Sequence, residues 1–573
     1  MSIFKKNLKF KASRKEGSMK TKNRRKSYLV SLLSILSVST IAFPSLTLAR
    51  TIEGTALNHN TQSGSYNYSE TTITEDIIVT NNNEADVQNS ITQTANTGYN
   101  TVSSVNGDVS ISTGDAELVA SVENNLNTNE TTISGGGGNV EITTENSNTG
   151  ANSENYSYGT YESNTEVLNN NELDVDNSVE QTADTGYNTI ASVNGDVELD
   201  TGDADLEADV STSGNTNSTE VMGGASASLS AENSMTQSNS FNYSDSSATV
   251  NTMVENSNDA DVDNETIQQG YSGYNTIASI NGDVDAGEST GDVNMSSSSS
   301  TDVNHNSTQV GLNGTSIEID TMNSNTQSDS ENLAFGTLTL GLEIENNNEL
   351  DVDNFNYAYG DSGTNVISDV NGDVELDTGD VEVESESEVE GNSSETEIDG
   401  LGDFSTSAMN EFTQSDSFNY ADSLMTLALG VSNDNDADIR NCSAIFGYSG
   451  YNQGWEINGD VDLSSGDVDL MTSVNTDVNM NVTMAEEGFG DIEEETSNSN
   501  TQSDSENYAY ATVDLSIEAE NDNRLRLRND LFSMSDTGYN VFFDINGDTD
   551  IQAGSVEEGF EVINEGNVSI TNI

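Results

Sequence analysis

Of 573 residues, 99 are acidic and 16 basic, a formal charge of −83. A field of that sign repels phosphate backbones and argues against nucleic acid as a partner. The single cysteine, Cys442, rules out an intrachain disulfide; it stands where the first two units described below carry Ser90 and Ser178, so a small half-buried side chain is expected there.

The basic residues are concentrated at the start. Eleven of the 16 precede Ala49, and no lysine follows Lys26. From Met19, MKTKNRRKSYLV is basic, YLVSLLSILSVSTIAF is apolar, and PSLTLA ends in small residues before a cut after Ala49. This is the layout of a secretory signal peptide, with an upstream basic tail, and together they occupy residues 1–49. The apolar run is short for a membrane span, and no other run of that length follows. The chain is expected to be secreted, extracellular or at a cell surface, with no membrane span once the signal is removed.

Six tandem units follow. The tetrad TGYN begins at Thr97, Thr185 and Thr537, with variants at Ser272, Ser362 and Ser449; the spacings are 88, 87, 90, 87 and 88. Threonines in NTQS-like segments (Thr61, Thr149, Thr236, Thr326, Thr413, Thr501) keep the same spacings. A third marker, NNNELDVDN at Asn169 and Asn346, has relatives centred on Val87, Val262, Ile439 and Leu527. Such self-similarity is the signature of a repeat architecture. The units are 50–137, 138–224, 225–314, 315–401, 402–489 and 490–573, and they abut without linkers.

Inside a unit the hydrophobic period is two. Val197 and Leu199 alternate with Glu198 and Asp200; Ala204, Leu206, Ala208 and Val210 alternate with Asp205, Glu207 and Asp209. DVEVESESEVEG from Asp380 repeats the pattern with Glu382, Glu384, Glu386, Glu388 and Glu390. This is the pattern of half-buried strands. Asn-Gly-Asp recurs at Asn106, Asn194, Asn281, Asn371, Asn458 and Asn546, and Asn-Gly favours tight hairpin turns because both residues tolerate positive φ. No helix is expected after the signal.

The fold class is therefore all-β, and two architectures satisfy it. A continuous β-solenoid is favoured by the abutting units, the small apolar residues and the abundance of Asn, Ser and Thr, which stack as ladders. A string of β-sandwich domains is favoured by the Asn-Gly turns. In either, a unit touches mainly its neighbours. Aromatic pairs point to stacking: seven residues after most marker threonines stands a tyrosine (Tyr68, Tyr156, Tyr243, Tyr420, Tyr508), with an aromatic partner two positions away. Such pairs fill a sheet face or offer a platform to sugars.

The stretches NNNEADVQNSITQTANTGYN (from Asn81) and IQQGYSGYN (from Ile267) resemble curlin-type repeats of bacterial fibres and other Asn-, Thr- and Gly-rich repeat proteins of bacterial envelopes. An 88-residue unit divides into four stretches of 22, near the curlin repeat length. The likeness covers a minor part of each unit. Its spacing departs from curlin's Gln-x-Gly-x-x-Asn, since Gln268-Gln269-Gly270 is followed by Asn275. It implies a cell-surface β-repeat and assigns no residue a role.

Catalysis is not expected. His59 and His305 occupy non-equivalent repeat positions, and carboxylates are too common for any pair to stand out as an acid–base couple. SGGGGNV at Ser134 lacks the Lys-Ser/Thr of a phosphate loop and reads as a flexible turn. Metal binding is the stronger candidate. DVNGDVELDTGD is similar to a calcium loop, placing Asp369, Asn371, Asp373, Asp377 and Asp380 at positions one, three, five, nine and twelve. The glycine falls at position four instead of six, and Asp replaces the bidentate Glu. Diffuse binding of Ca²⁺ or Mg²⁺ by rows of carboxylates is the broader expectation. Each adjacent pair repels by somewhat under ~1 kcal/mol in water, and tens of pairs rival the net stability of a domain.

The last unit inverts the charge. Glu172, Asp174 and Asp176 of the second unit become Arg524, Arg526 and Arg528 in the sixth, and the fifth already carries Arg440. One reading is a C-terminal cap pairing with Asp436 and Asp438. The other is a head-to-tail contact with Glu84 and Asp86 of a second molecule, which builds a filament. The expected role is a secreted, non-catalytic structural protein of the cell surface or extracellular matrix (a stalk, fibre or coat) stabilised by divalent cations. The alternative is an adhesin for a surface glycan or envelope protein. Attachment is expected to be non-covalent or through a further partner.

Overall fold

The computed structural model describes residues 28–38, 41–42, 45–48, 51–135, 139–223, 226–288, 290–312, 314–485 and 490–572. The basic tail 1–27, the cut after Ala49, the glycines at 136–138, and the unit boundaries at 137/138, 224/225 and after 489 lie outside the described residues.

Each unit is one coil of a parallel β-solenoid. In the second unit the path runs through a short strand (Asn139–Ser147), a long strand (Glu154–Asp184), two tip strands (Tyr187–Asn194 and Val197–Asp200) and a return strand (Ala204–Met222). Every other coil repeats the path, and like strands lie side by side in five sheets. All pairing among the described residues is parallel, and within residues 51–572 it runs between coils: Asp174 sits between Asp86 and Asp261, and Val175 between Val87 and Val262. A sandwich would instead pair antiparallel strands within a unit, so the solenoid is the architecture. No helix among the described residues is long and apolar enough to cross a membrane.

The coil is flattened. The return and short strands fold back over the long strand, and the tip strands close one end. Inward positions alternate with outward ones as the sequence period requires: along the long strand, Leu173 and Val175 are buried while Glu172, Asp174 and Asp176 are exposed. Apolar clusters occupy separate parts of the interior. Leu173 and Val175 pack with Leu126 and Val303 mid-strand, Ile190 and Val193 with Val197 and Leu199 at the tip.

Between these clusters the interior is built of amides. Asn171 donates to Asn217 at 2.8 Å across the two layers, and Asn217 donates to Asn258 at 2.9 Å, so a zigzag climbs through the coils. Most of these asparagines also donate to their counterpart one coil on, as in Asn67 to Asn155 to Asn242 at 2.7 and 2.8 Å. A buried amide without partners costs several kcal/mol. The stack removes that cost because identical side chains present one donor and one acceptor along the axis.

The Asn-Gly-Asp segments are corners, not hairpins. They carry the chain from the first tip strand to the second, and those two strands belong to different sheets. The turn's work is done between coils: the amide of Asn371 donates to Asn281 at 2.8 Å, and the Asp373 backbone N–H donates to Oδ1 of Asp283 at 3.0 Å. Here the coils approach so closely that a Cβ on Gly372 would fall onto the carbonyl oxygen of Gly282. That close approach recurs at Gly195, Gly282, Gly459 and Gly547 and explains the glycine there, while Gly107 of the first coil, which has no coil before it, carries a positive φ of 146°.

At about 3.3 Å per residue the 31-residue long strand spans ~100 Å, whereas six coils at about 4.8 Å rise only ~29 Å. A single chain is a slab, wider than it is tall. On its first-coil side, the backbone segments Tyr28–Val38, Ile41–Ala42 and Ser45–Leu48 run parallel to the return strand Ala116–Gly135 and cover its edge. Among the described residues, the first-coil edges of the other four sheets are unpaired.

Candidate functional site

The in-register stack turns each outward acidic position into a column. Glu84, Glu172, Asp259, Glu349 and Asp436 form one; Asp86, Asp174, Asp261, Asp351 and Asp438 form the next. Neighbours in a column at about 5 Å repel by ~0.8 kcal/mol in water. The carboxyls register it. Partial burial, then the charges of Asp351 and Asp174, hold Asp261 above the ordinary carboxylate range; partial burial, then Asp438 and Asp263, do the same for Asp351.

The glutamate row of the fourth unit is spaced differently. Glu384 and Glu386 have serines or methionine as coil neighbours, and Glu388 accepts from Asn475 at 3.1 Å. Only the ends of the row meet acids: Glu382 adjoins Asp469, and Glu390 lies between Asp302 and Asp477. Substitution in the flanking coils thus dilutes charge where a single strand is most acidic.

The calcium-loop candidates are spread along the tip. Asp369 lies on the first tip strand in a left-handed conformation (φ 55°), a position shared by Ser104, Ser192, Ser279, Glu456 and Asp544. A hydrogen bond with Asp369, then its charge, raises the pKa of Glu456 in the next coil. The side chains of Asn371, Asp373 and Asp380 bond to neighbouring coils: Asn371 with Asn458 at 2.7 Å, Asp373 with the Asp460 N–H at 2.9 Å, and Asp380 with the Asp467 N–H at 2.7 Å. Asp377 ends the second tip strand (Val374–Asp377). Among the described residues no group of three or more His, Cys, Asp or Glu side chains converges as a metal cage. The turn acids bridge coils, a role that loop spacing alone did not reveal.

The arginines of the last coil continue the acidic columns and pair back onto them. Arg524 meets Asp436 at 2.8 Å and Arg526 meets Asp438 at 3.3 Å; Arg440 of the fifth coil meets Asp353 at 3.4 Å. Arg528 turns instead to Asp530 of its own strand, at 2.6 Å. All four pairs are solvent-exposed. Glu84 and Asp86 stand at the opposite end of the same columns, five coils away.

Two further outward arrays stand out. Aromatic rings at the start of the long strands pack from coil to coil, tilted by 33–41° to one another: Tyr68 with Tyr158, Tyr158 with Tyr243, Tyr243 with Phe335, Phe335 with Tyr420 and Tyr420 with Tyr510, at 5.3 to 5.6 Å. They lie on the outer face, not in the core. A Tyr68 hydrogen bond to Glu70 helps to raise its phenol to about 12. The second array is a Ser-His-Asp line that sequence spacing could not show. His305 Nδ1 lies 2.6 Å from Ser393 Oγ, and its Nε2 lies 2.5 Å from Asp302; the His305 contact lowers the Asp302 pKa. Ser393 stands beside His305 only because coils stack in register. His305 and Ser393 stand beside a bend of the return strand, where Asn304 and Asn392 are left-handed (φ 63° and 50°), and they line an open cleft with Ser307, Glu395 and Met480. Cys442 is half-buried, with its thiol free.

Compared with known protein families, with curated proteins and with solved structures, the chain shows no match.

Proposed function

We propose that the chain is a secreted, non-catalytic structural protein of a cell surface or extracellular matrix, whose acidic columns are neutralised by divalent cations. The observation that carries this reading is the unbroken in-register stack. Side-chain ladders run through all six coils, as in the column from Asn58 through Asn146, Asn233, Asn323 and Asn410 to Asn498. Such a stack is stiff, repetitive and coated with charge, and it suits load and coverage better than turnover. Export is supported by the basic and apolar layout of residues 19–49. Calcium or magnesium is supported by the outward carboxylate columns, whose ligand atoms are oxygens.

An adhesive role is the second reading, favoured by the outward row of aromatic rings, whose flat faces suit sugar rings. Locating the tagged chain in its own cells tests the first reading: recovery at the surface, with the surface layer lost when the gene is deleted, supports it. Recovery of the mature chain inside the cell overturns it. If the surface layer persists after deletion while attachment to glycan-coated supports is lost, the adhesive reading replaces it.

A further inference from the structure

The last coil of this solenoid is an open end. Val513, Leu515, Ile517, Ile551 and Val556 occupy inward positions there, yet each is more than two-fifths exposed. Their equivalents one coil earlier, Met425, Leu427, Leu429, Leu463 and Val468, are 0 to 4 % exposed. Solenoids that remain single carry polar capping repeats. The arginines of this coil sit on the outer face and leave the interior uncovered.

The two ends are chemically opposite. In most asparagine columns the amide nitrogen of one coil donates to the oxygen of the next, so the column that starts at Asn67 ends at Asn507 with its nitrogen, and the one that starts at Asn81 ends at Asn521. The first coil is left with side-chain oxygens and the last with side-chain N–H groups. The outer columns end in opposite charges, Glu84 and Asp86 against Arg524 and Arg526. Continuing the coil spacing into another molecule sets Arg524 over Glu84, Arg526 over Asp86, Val513 over Ile73 and Ile517 over Ile77. The arginine-over-acid contact repeats what Arg524 already makes with Asp436.

We infer that the last coil of one chain docks on the first coil of a second copy, so that slabs stack into a filament about 100 Å wide through a heterologous, non-closing interface. The inference rests on the structural reading above and names its partner. It also gives that reading its length, since a slab ~29 Å tall is no stalk by itself. Among the described residues, four of the five first-coil edges are open to the incoming coil. The fifth, that of Ala116–Gly135, is the one held by Tyr28–Val38, and it opens when the leader leaves.

The test uses the purified secreted chain, imaged by negative stain and sized by sedimentation over a range of concentrations. Wild type should form stacks that lengthen with concentration. The triple variant Arg524→Glu, Arg526→Glu, Arg528→Glu sets acid against acid at the junction; the double variant Glu84→Arg, Asp86→Arg sets base against base. Each alone should give at least tenfold shorter stacks, with an unchanged β-sheet circular dichroism spectrum. Mixing the two variants pairs opposite charges at every junction and should restore stacking, a recovery that misfolded variants would not show. Single slabs for wild type at every concentration, or stacking untouched by both variants, would overturn the proposal. Either result leaves surface localisation, the test of the broader reading, unaffected.

Discussion

Asn171 lies at the crossing of two hydrogen-bond directions. Its amide donates to Asn217 at 2.8 Å across the slab and to Asn258 at 2.9 Å along the axis, while its oxygen accepts from Asn83 and Asn129. The side chain is fully buried. Asn171→Ala leaves four partners short of a bond and a cavity behind, and is expected to cost about 2–4 kcal/mol. Asn194 belongs to an equally regular ladder, bonded to Asn106 at 2.7 Å and Asn281 at 2.6 Å, but it is exposed. Asn194→Ala lets water replace both bonds and should cost less than ~1 kcal/mol. Urea denaturation of the two variants side by side checks the contrast; equal losses would mean that burial of the ladder is not what stabilises it.

Glycines separate in the same way. A Cβ at Gly372 meets the backbone of Gly282, which cannot move without parting the coils. Gly372→Ala is expected to destabilise by about 1–3 kcal/mol. At Gly430 the nearest obstacle to a Cβ is the Leu342 carbonyl oxygen at 4.0 Å. Gly430→Ala therefore fits and, by restricting the unfolded chain, should leave stability unchanged or raise it by up to ~1 kcal/mol. Thermal melting distinguishes the two. A melting point unchanged by Gly372→Ala would show that the corner can widen.

The arginines predict a dissociation between stability and assembly. Their pairs with Asp436 and Asp438 are exposed, and such pairs contribute about 0–1 kcal/mol. Arg524→Ala should shift the melting point of a single slab by no more than a degree or two, while shortening stacks measurably. A large loss of single-slab stability would mean that these residues serve mainly as an intramolecular clamp.

How much of this was legible depends on which neighbour matters. Alternation along Val197–Val210 gives inward and outward faces without any tertiary knowledge, because the period of two is local. The 88-residue spacing of Thr97 and Thr185 gives the coil length. Alternation does not distinguish parallel from antiparallel pairing, and this is why Asn106-Gly107 reads as a hairpin although it is a corner. The amide interior was also hidden. Asn169 and Asn171 look like turn or surface residues, yet they share parity with Leu173 and Val175, and parity was the signal that placed them inside. The Ser393–His305–Asp302 line exists only through register, since Ser393 is 88 positions from His305. The acids that bridge coils, such as Asp373 and Asp380, resemble calcium ligands in the sequence because both roles require carboxylates near tight turns.

Acidic crowding fixes the direction of the pH and ion dependence. Asp259, Asp261, Asp263 and Asp351 all have carboxyls raised above the usual value of 3.8, by partial burial first and by neighbouring carboxylates next. A carboxyl whose folded pKa exceeds its unfolded pKa binds its proton more tightly when folded. Its contribution to stability is present at low pH and is lost as pH rises through the folded value. Asp302 and Asp467 run the other way, held low by His305 and by the Ser555 N–H, but they are outnumbered. At low ionic strength the melting point should therefore rise as pH falls from neutral toward about 4. Millimolar calcium at neutral pH should mimic the proton by neutralising the same columns, and the two effects should not add. The gain from calcium should shrink at pH 4 and in ~1 M salt, where the screening length falls to about 3 Å. Differential scanning calorimetry across that grid checks all three directions. Melting points that climb with pH, or that ignore calcium at neutral pH and low salt, would show that the columns are already neutralised by solvent alone.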